Sequence, residues 1–207
     1  MAAVARHAPE AELPALRNPR EVASFSESGP ATVSRADSMC HRCGMQDELA
    51  RTVALLAAHR EIEQKIYRMG YALEDGDFEL VGELLRHATF GADRIGRRAF
   101  QGQQEIRDQY TRTNIIYPGH GRATREIYTN VRIDIDLDAR TASSTTAYTV
   151  AQQLPEGDSP FALLVAGRYE DEWSLIEGEW HWTDRYIVVQ FKNDLDQHMA
   201  PGSQPYN

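Results

Sequence analysis

Few residues in this chain could do chemistry, and most of them are acids, tyrosines and histidines. Glu74 comes first. It stands one residue after the run Ile62, Ile66, Met69 and Leu73, apolar positions at helical spacing, and just before the break Asp75-Gly76-Asp77. A carboxyl group in that last turn lies close to the stripe that packs inward, where proton transfer is its natural chemistry. Tyr148 and Tyr169 fall among apolar neighbours, either as hydroxyls lining a pocket and bonding a ligand or as core aromatics. Arg185 can orient an anionic group or neutralise an acid of the chain. His120 sits in the loop Tyr117-Pro118-Gly119-His120-Gly121, where it either covers a pocket mouth or is a turn residue in water. His181, between Trp180 and Trp182, marks a sheet face. Cys40 and Cys43 form a lone C-x-x-C. A structural zinc site needs four ligands, so these read as two free thiols. No Gly-rich phosphate loop, HExxH or Ser-His-Asp order is present, which predicts no metal, nucleotide or other cofactor.

The elements that must position these groups follow from periodicity. Residues 1–45 are rich in Ala, Pro, Ser and Glu without either period and are expected to be a disordered arm. Order is expected from about Gln46. Leu49, Val53 and Leu56 make one helical stripe, and Ile62 to Leu73 make a second with shifted phase, implying two helices or one with a bend near His59-Arg60. Asp77 can cap a short third helix through Leu85 with Val81, Leu84 and Leu85 inward. Two short extended pieces fall between Thr89 and Phe100, and Gln103 to Arg112 reads as a helix with Ile106 and Tyr110 on one side. From Thr124 the period becomes two. Val131, Ile133 and Ile135 alternate with polar residues, and Ser143 to Leu154 is rich in Thr, Tyr and Val. Phe161, Leu163, Val165, Gly167, Tyr169 and Trp173 are expected to share one face, and Trp180 to Phe191 is the last strand. Helices followed by a long antiparallel meander predict an α+β fold with the helices on one face of a curved sheet, and residues 193–207 as a C-terminal tail.

Charge and hydropathy narrow the partners. The formal charge is −9 over 207 residues, and residues 1–45 balance five Arg against five acids, so the whole excess lies in the ordered part. Such a domain is repelled by a phosphate backbone, and no apolar run is long enough for a membrane span, so neither nucleic acid nor membrane is expected. Two cysteines and no export signal point to the cytoplasm. A hydrophobic small molecule fits better. Trp180, Trp182 and Tyr186, or their odd-numbered neighbours, must lie on an outer face, which points to a homodimer.

The words YALEDGDFELVGELL (71–85), TREIYTNVRIDIDLDARTASSTTAYTV (124–150) and GRYEDEW with EGEWHWTDR (167–185) resemble the SnoaL-like group of the nuclear transport factor 2-like superfamily over roughly residues 46–192. The resemblance implies a cone-shaped curved antiparallel sheet wrapped by N-terminal helices around a deep pocket. It also implies relatives that include scytalone dehydratase, ketosteroid isomerase and polyketide cyclases. In the dehydratase branch an Asp corresponds to Glu74, a Tyr to Leu73, a His to Glu126 in Thr124-Arg125-Glu126, and a second His to Thr146. The polyketide-cyclase acid of the last strand falls near Arg185, beside Asp184. This chain therefore departs from both patterns.

Glu74 and Glu126 are accordingly the expected catalytic residues. Two carboxylates facing one apolar pocket push one pKa up, so a protonated and an ionised group coexist near neutral pH, which suits enolisation, isomerisation or addition of water to an epoxide. Tyr169, Tyr148, Arg185 and His120 are the expected substrate-binding residues. The function implied is a cofactor-free dehydratase, isomerase or cyclase acting on a hydrophobic oxygenated molecule such as a polyketide, steroid or terpenoid. The alternative is a non-catalytic binding or assembly module, with Glu126 paired to Arg125 or Arg185.

Overall fold

The computed structural model describes residues 35–91, 99–155 and 159–203, with side chains from Gly44 onward. Its first element, α1 (Arg35–Asp75), is one uninterrupted helix through His59-Arg60, which decides between the two expected alternatives against two separate helices. It begins at Arg35, ahead of the expected start of order; the rest of the proposed arm, residues 1–34, lies outside the described residues. The two stripes are two faces of this one helix. Ile62, Ile66, Met69 and Leu73 enter the core, whereas Met45, Leu49, Val53 and Leu56 are exposed. No Pro falls between Gly44 and Asp75 to break the ladder. Gly70 is tolerated within it because a Cβ there would stand 3.1 Å from the Tyr128 ring, which packs on the helix instead.

The helix α2 (Phe78–Leu84) starts as expected, with the Asp77 carboxylate accepting from the Leu80 N–H at 3.0 Å. Val81, Leu84 and Leu85 are buried. After it come β1 (Thr89–Gly91), β2 (Phe100–Gln101) and α3 (Gly102–Thr113), which turns Ile106 inward. Four long strands complete the order: β3 (Thr124–Asp136), β4 (Thr141–Gln152), β5 (Ala162–Ile176) and β6 (Glu179–Lys192). They form one sheet in the order β2-β1-β6-β5-β4-β3, antiparallel except where β1 lies parallel to β6. The fold class is the expected α+β. The register shifts along β3, β4, β5 and β6, and each such irregularity bends a strand.

One shift changes a sequence-based expectation. Val150 pairs with Val165 but Ala151 pairs with Leu163, so Leu164 is the extra residue of a bulge. The bulge inverts the alternation. Leu164 and Val165 are both buried while Phe161 and Leu163 are exposed, so these two do not share the face of Tyr169 and Trp173. The last strand differs as well. Trp180, His181 and Trp182 are all buried, with the Trp182 ring centre 4.0 Å from that of Trp173 and tilted 31° to it, so they are not the exposed aromatics expected to mark a dimer.

Of the proposed C-terminal tail, residues 193–203 are described and are held to the fold. Its backbone is clipped to the end of α3: the Ile115 N–H donates to the His198 carbonyl at 3.2 Å and the Ala200 N–H to the Thr113 carbonyl at 2.9 Å. Leu195 and Met199, four residues apart and joined by a turn, are buried together with His198.

Candidate active site

A cavity of about 140 Å³ lies between the inner face of the sheet, α3 and this C-terminal segment. Its apolar wall includes Leu73, Phe90, Val150, Ile187, Leu195 and Met199. The polar residues that line it are Gln109, Thr113, Asn114, Arg122, Glu126, His198 and the tyrosines 110, 148 and 169.

Arg122 organises the site. It comes directly after Gly121, whose φ of +57° and close approach are open only to glycine, since a Cβ there would stand 2.2 Å from the Glu74 carbonyl oxygen. That approach lets the Arg122 N–H donate to the Glu74 carbonyl at 2.9 Å, fastening the start of β3 to the end of α1. The guanidinium then points inward. Nη1 donates to Glu126 Oε1 at 2.9 Å, and Nη2 donates to His198 Nε2 at 2.8 Å. Glu126 and His198 are thus held on the two terminal nitrogens of one rigid fork.

Each partner keeps one unused atom. The Glu126 side chain is 1% exposed, and its Oε2 has no hydrogen-bond partner among the described residues. Burial pushes its pKa up; Arg122 pulls against this and the charge of Glu74 adds to it. An arginine only donates, so His198 Nε2 must accept and the proton of the neutral ring sits on Nδ1. That Nδ1 is buried and also without a partner among the described residues. Burial first, and the Arg122 charge second, push His198 down to about 3, so the ring stays a neutral N–H donor at ordinary pH.

The expected residues fall into two groups. Glu126, Tyr148 and Tyr169 line the cavity, and the two tyrosine rings stack 4.4 Å apart. Glu74 does not. It faces a groove between α1 and β3, where its carboxylate accepts from the Glu126 backbone N–H at 2.8 Å and pairs with Arg125. The two acids meet through that backbone, not as a pair of carboxylates in one pocket, and Arg122 takes the place expected of Arg125 or Arg185 as the partner of Glu126. Arg185 is fully buried behind the wall, 3.9 Å over the Tyr169 ring and 3.5 Å from Asp171 across the β5–β6 pair. There burial raises Asp171 to about 6 against the pull of Arg185. His120 is exposed on an outer groove with Ile116 and Phe161 and does not reach the cavity.

Sequence reasoning missed Arg122 and His198. Gly121-Arg122 lies four residues before Glu126, and Leu195, His198 and Met199 repeat at one helical turn; these were the available signals.

Residues 54–186 match the SnoaL-like domain family, and the chain belongs to it. Among solved structures it is similar to three proteins from Novosphingobium aromaticivorans. One is provisionally named a scytalone dehydratase (17% identity, 69% of this chain, 91% of that one, TM-score 0.54). Another is a nuclear transport factor 2-like protein with a cystatin-like fold (14%, 77%, 92%, 0.54). A third is provisionally named an aromatic ring hydroxylase (19%, 69%, 96%, 0.53). At these identities the likeness establishes the nuclear transport factor 2-like fold and nothing of the chemistry. No curated protein matches the chain.

Proposed function

We propose that this protein is a cofactor-free acid/base enzyme acting on a hydrophobic oxygenated small molecule, with Glu126 as the proton-handling carboxylate and His198 as the electrophilic N–H. The observation that carries the proposal is one guanidinium that holds a carboxylate and a neutral imidazole, both residues lining the same cavity and each keeping one buried atom without a hydrogen-bond partner among the described residues. Glu126 Oε2 takes a proton from the carbon next to a ligand carbonyl. The electron pair moves into the carbon–carbon bond, and the carbonyl oxygen, now an enolate, accepts from His198 Nδ1–H. Glu126 then returns the proton to another carbon, which is isomerisation, or to a departing β-hydroxyl, which leaves as water. The dehydratase name of one relative agrees with the second outcome. A neutral imidazole is the right donor for this task, because it stabilises the enolate without first having to gain a proton.

The test is proton exchange of 2-cyclohexenone in deuterated water, monitored by NMR, and dehydration of 3-hydroxycyclohexanone, monitored by ultraviolet absorbance. Wild-type protein should exceed the buffer rate in at least one of them. Glu126→Gln should fall by at least ~10²-fold, the low end for a general base. No exchange or dehydration above buffer, or equal rates in Glu126→Gln, refutes the proposal.

The alternative of an assembly module is favoured by one observation. Phe161, Leu163 and Phe191 are all well exposed at neighbouring ends of β5 and β6. We propose homodimerisation through this patch, which is compatible with either reading of the cavity.

A further inference from the structure

We infer that residues 45–60 of α1 pair antiparallel with the same residues of a second copy of this chain, on a face distinct from the Phe161 patch.

Every residue from Gly44 to Ala57 is exposed, and Ala58 is the first of this stretch to be buried, so about 21 Å of helix runs clear of the core. A stretch of that length is marginal as a helix in water unless it buries an apolar face. It has such a face. Met45, Leu49, Val53 and Leu56 are 65%, 63%, 56% and 66% exposed. They recur at about 3.67 residues per turn, so the stripe runs straight along the helix. Single exposed apolar side chains need no explanation, but four large ones in line mark a contact surface. The domain does not cover them. Arg51, on the opposite side of the helix, holds Asp138 of the β3–β4 turn through two hydrogen bonds of 2.9 and 2.7 Å, which turns the stripe away.

The pattern itself selects a second copy. Along this face run Met45, Leu49, Val53, Leu56 and then Arg60. Leu49 and Leu56 lie equally far from the midpoint between Thr52 and Val53, and so do Met45 and Arg60. Turned end for end about that midpoint, the helix lays Leu49 on Leu56 of the second copy and Leu56 on its Leu49, as an isologous contact requires. Arg60 then comes over Met45 of the second copy, three residues, or about 4.5 Å, from its Glu48. The Arg60 side chain is 68% exposed in a surface pair with Glu63, so it can turn to Glu48 at little cost. A parallel pair would instead set Arg60 against Arg60, and that repulsion selects the antiparallel arrangement.

Sedimentation velocity of the full chain over about 1–100 µM, the range of a short interface, reads the pairing. Leu49→Glu/Leu56→Glu breaks the α1 contact and Phe161→Ser/Phe191→Ser breaks the patch, and neither pair touches the core. Wild type should self-associate, the α1 variant should have half its mass, and the patch variant should remain at least a dimer. Glu48→Arg and Arg60→Glu tests the orientation. Each alone should weaken association about tenfold, because two attractions per dimer become repulsions, and both in one chain should restore it to within about threefold. Failure of the double variant to restore association overturns the antiparallel pairing. An α1 variant of wild-type mass, or a patch variant that is monomeric, overturns the contact. A wild-type monomer at every concentration does the same and leaves the stripe to a different protein. A patch variant of unchanged mass sinks the Phe161 interface alone.

Discussion

Replacing His198 with Gln should make the protein markedly less sensitive to acid. In the folded chain burial and the adjacent Arg122 hold His198 down at about 3, against 6.5 for an ordinary histidine. Between those values the unfolded chain binds a proton that the folded chain refuses. The stability contributed by neutral His198 is therefore complete above about pH 6.5 and is lost as the pH falls toward 3. At about 1.36 kcal/mol per pH unit, going from about pH 7.5 to about pH 5 costs about 2 kcal/mol through this residue alone. Glu126 and Asp171, both pushed up, act in the opposite sense, so the comparison must be between wild type and variant at each pH. Gln suits the purpose because its side-chain oxygen can take the Arg122 Nη2–H in place of Nε2. Urea denaturation of both chains at the two pH values measures the effect: the variant should lose about 2 kcal/mol less than wild type on acidification. Identical losses would mean that His198 titrates normally in the folded protein. The neutral-donor argument and the tautomer assignment would then both fail.

The same geometry sets four further outcomes. Glu74→Gln should leave cyclohexenone exchange within about threefold of wild type, because Glu74 faces the outer groove, whereas Glu126→Gln should reduce it by at least ~10²-fold. The wild-type kcat/KM profile should show one acid limb, from Glu126, at a pH above the ordinary carboxylate value of 4.5, and no limb from His198 near neutrality. Gly121→Ala should cost at least about 2 kcal/mol in urea denaturation and lower turnover, through its positive φ and the clash with the Glu74 carbonyl. Asp171→Asn should cost about 3–5 kcal/mol, because it leaves the Arg185 charge buried beside Tyr169 and Trp182 without its partner.

Local rules made much of the scaffold legible. The stripe from Ile62 to Leu73, the Asp77 cap and the inward Val81, Leu84 and Leu85 are short-range patterns, and each appears where the pattern puts it. Period-two reading found the four long strands but assigned Phe161 and Leu163 to the wrong face, because the bulge at Leu164 is decided by pairing with β4 and leaves no mark in β5 alone. The same holds for the site. Tyr148, Tyr169 and Glu126 lie on strands whose inward faces could be read, and they do reach the cavity. Glu74 was drawn in by its place at the end of a buried stripe, yet the last helical turn points its carboxylate to β3 and Arg125. Arg122 and His198, 76 positions apart, meet only once α1, β3 and the C-terminal segment have closed, and no local period reports such a meeting.

The segment after β6 carries one further consequence. The match to the family ends at residue 186, and His198 lies beyond it, in a stretch held to the fold by a few backbone clips and three buried side chains. Of the two residues joined by Arg122, Glu126 belongs to the matched scaffold and His198 does not. A relative could keep every strand and both short helices, exchange only the residues after the last strand, and so replace one wall of the cavity over the same Glu126. Relatedness across the matched domain then leaves the partner of Glu126 unspecified, and the trailing residues of each relative are where that partner should be sought.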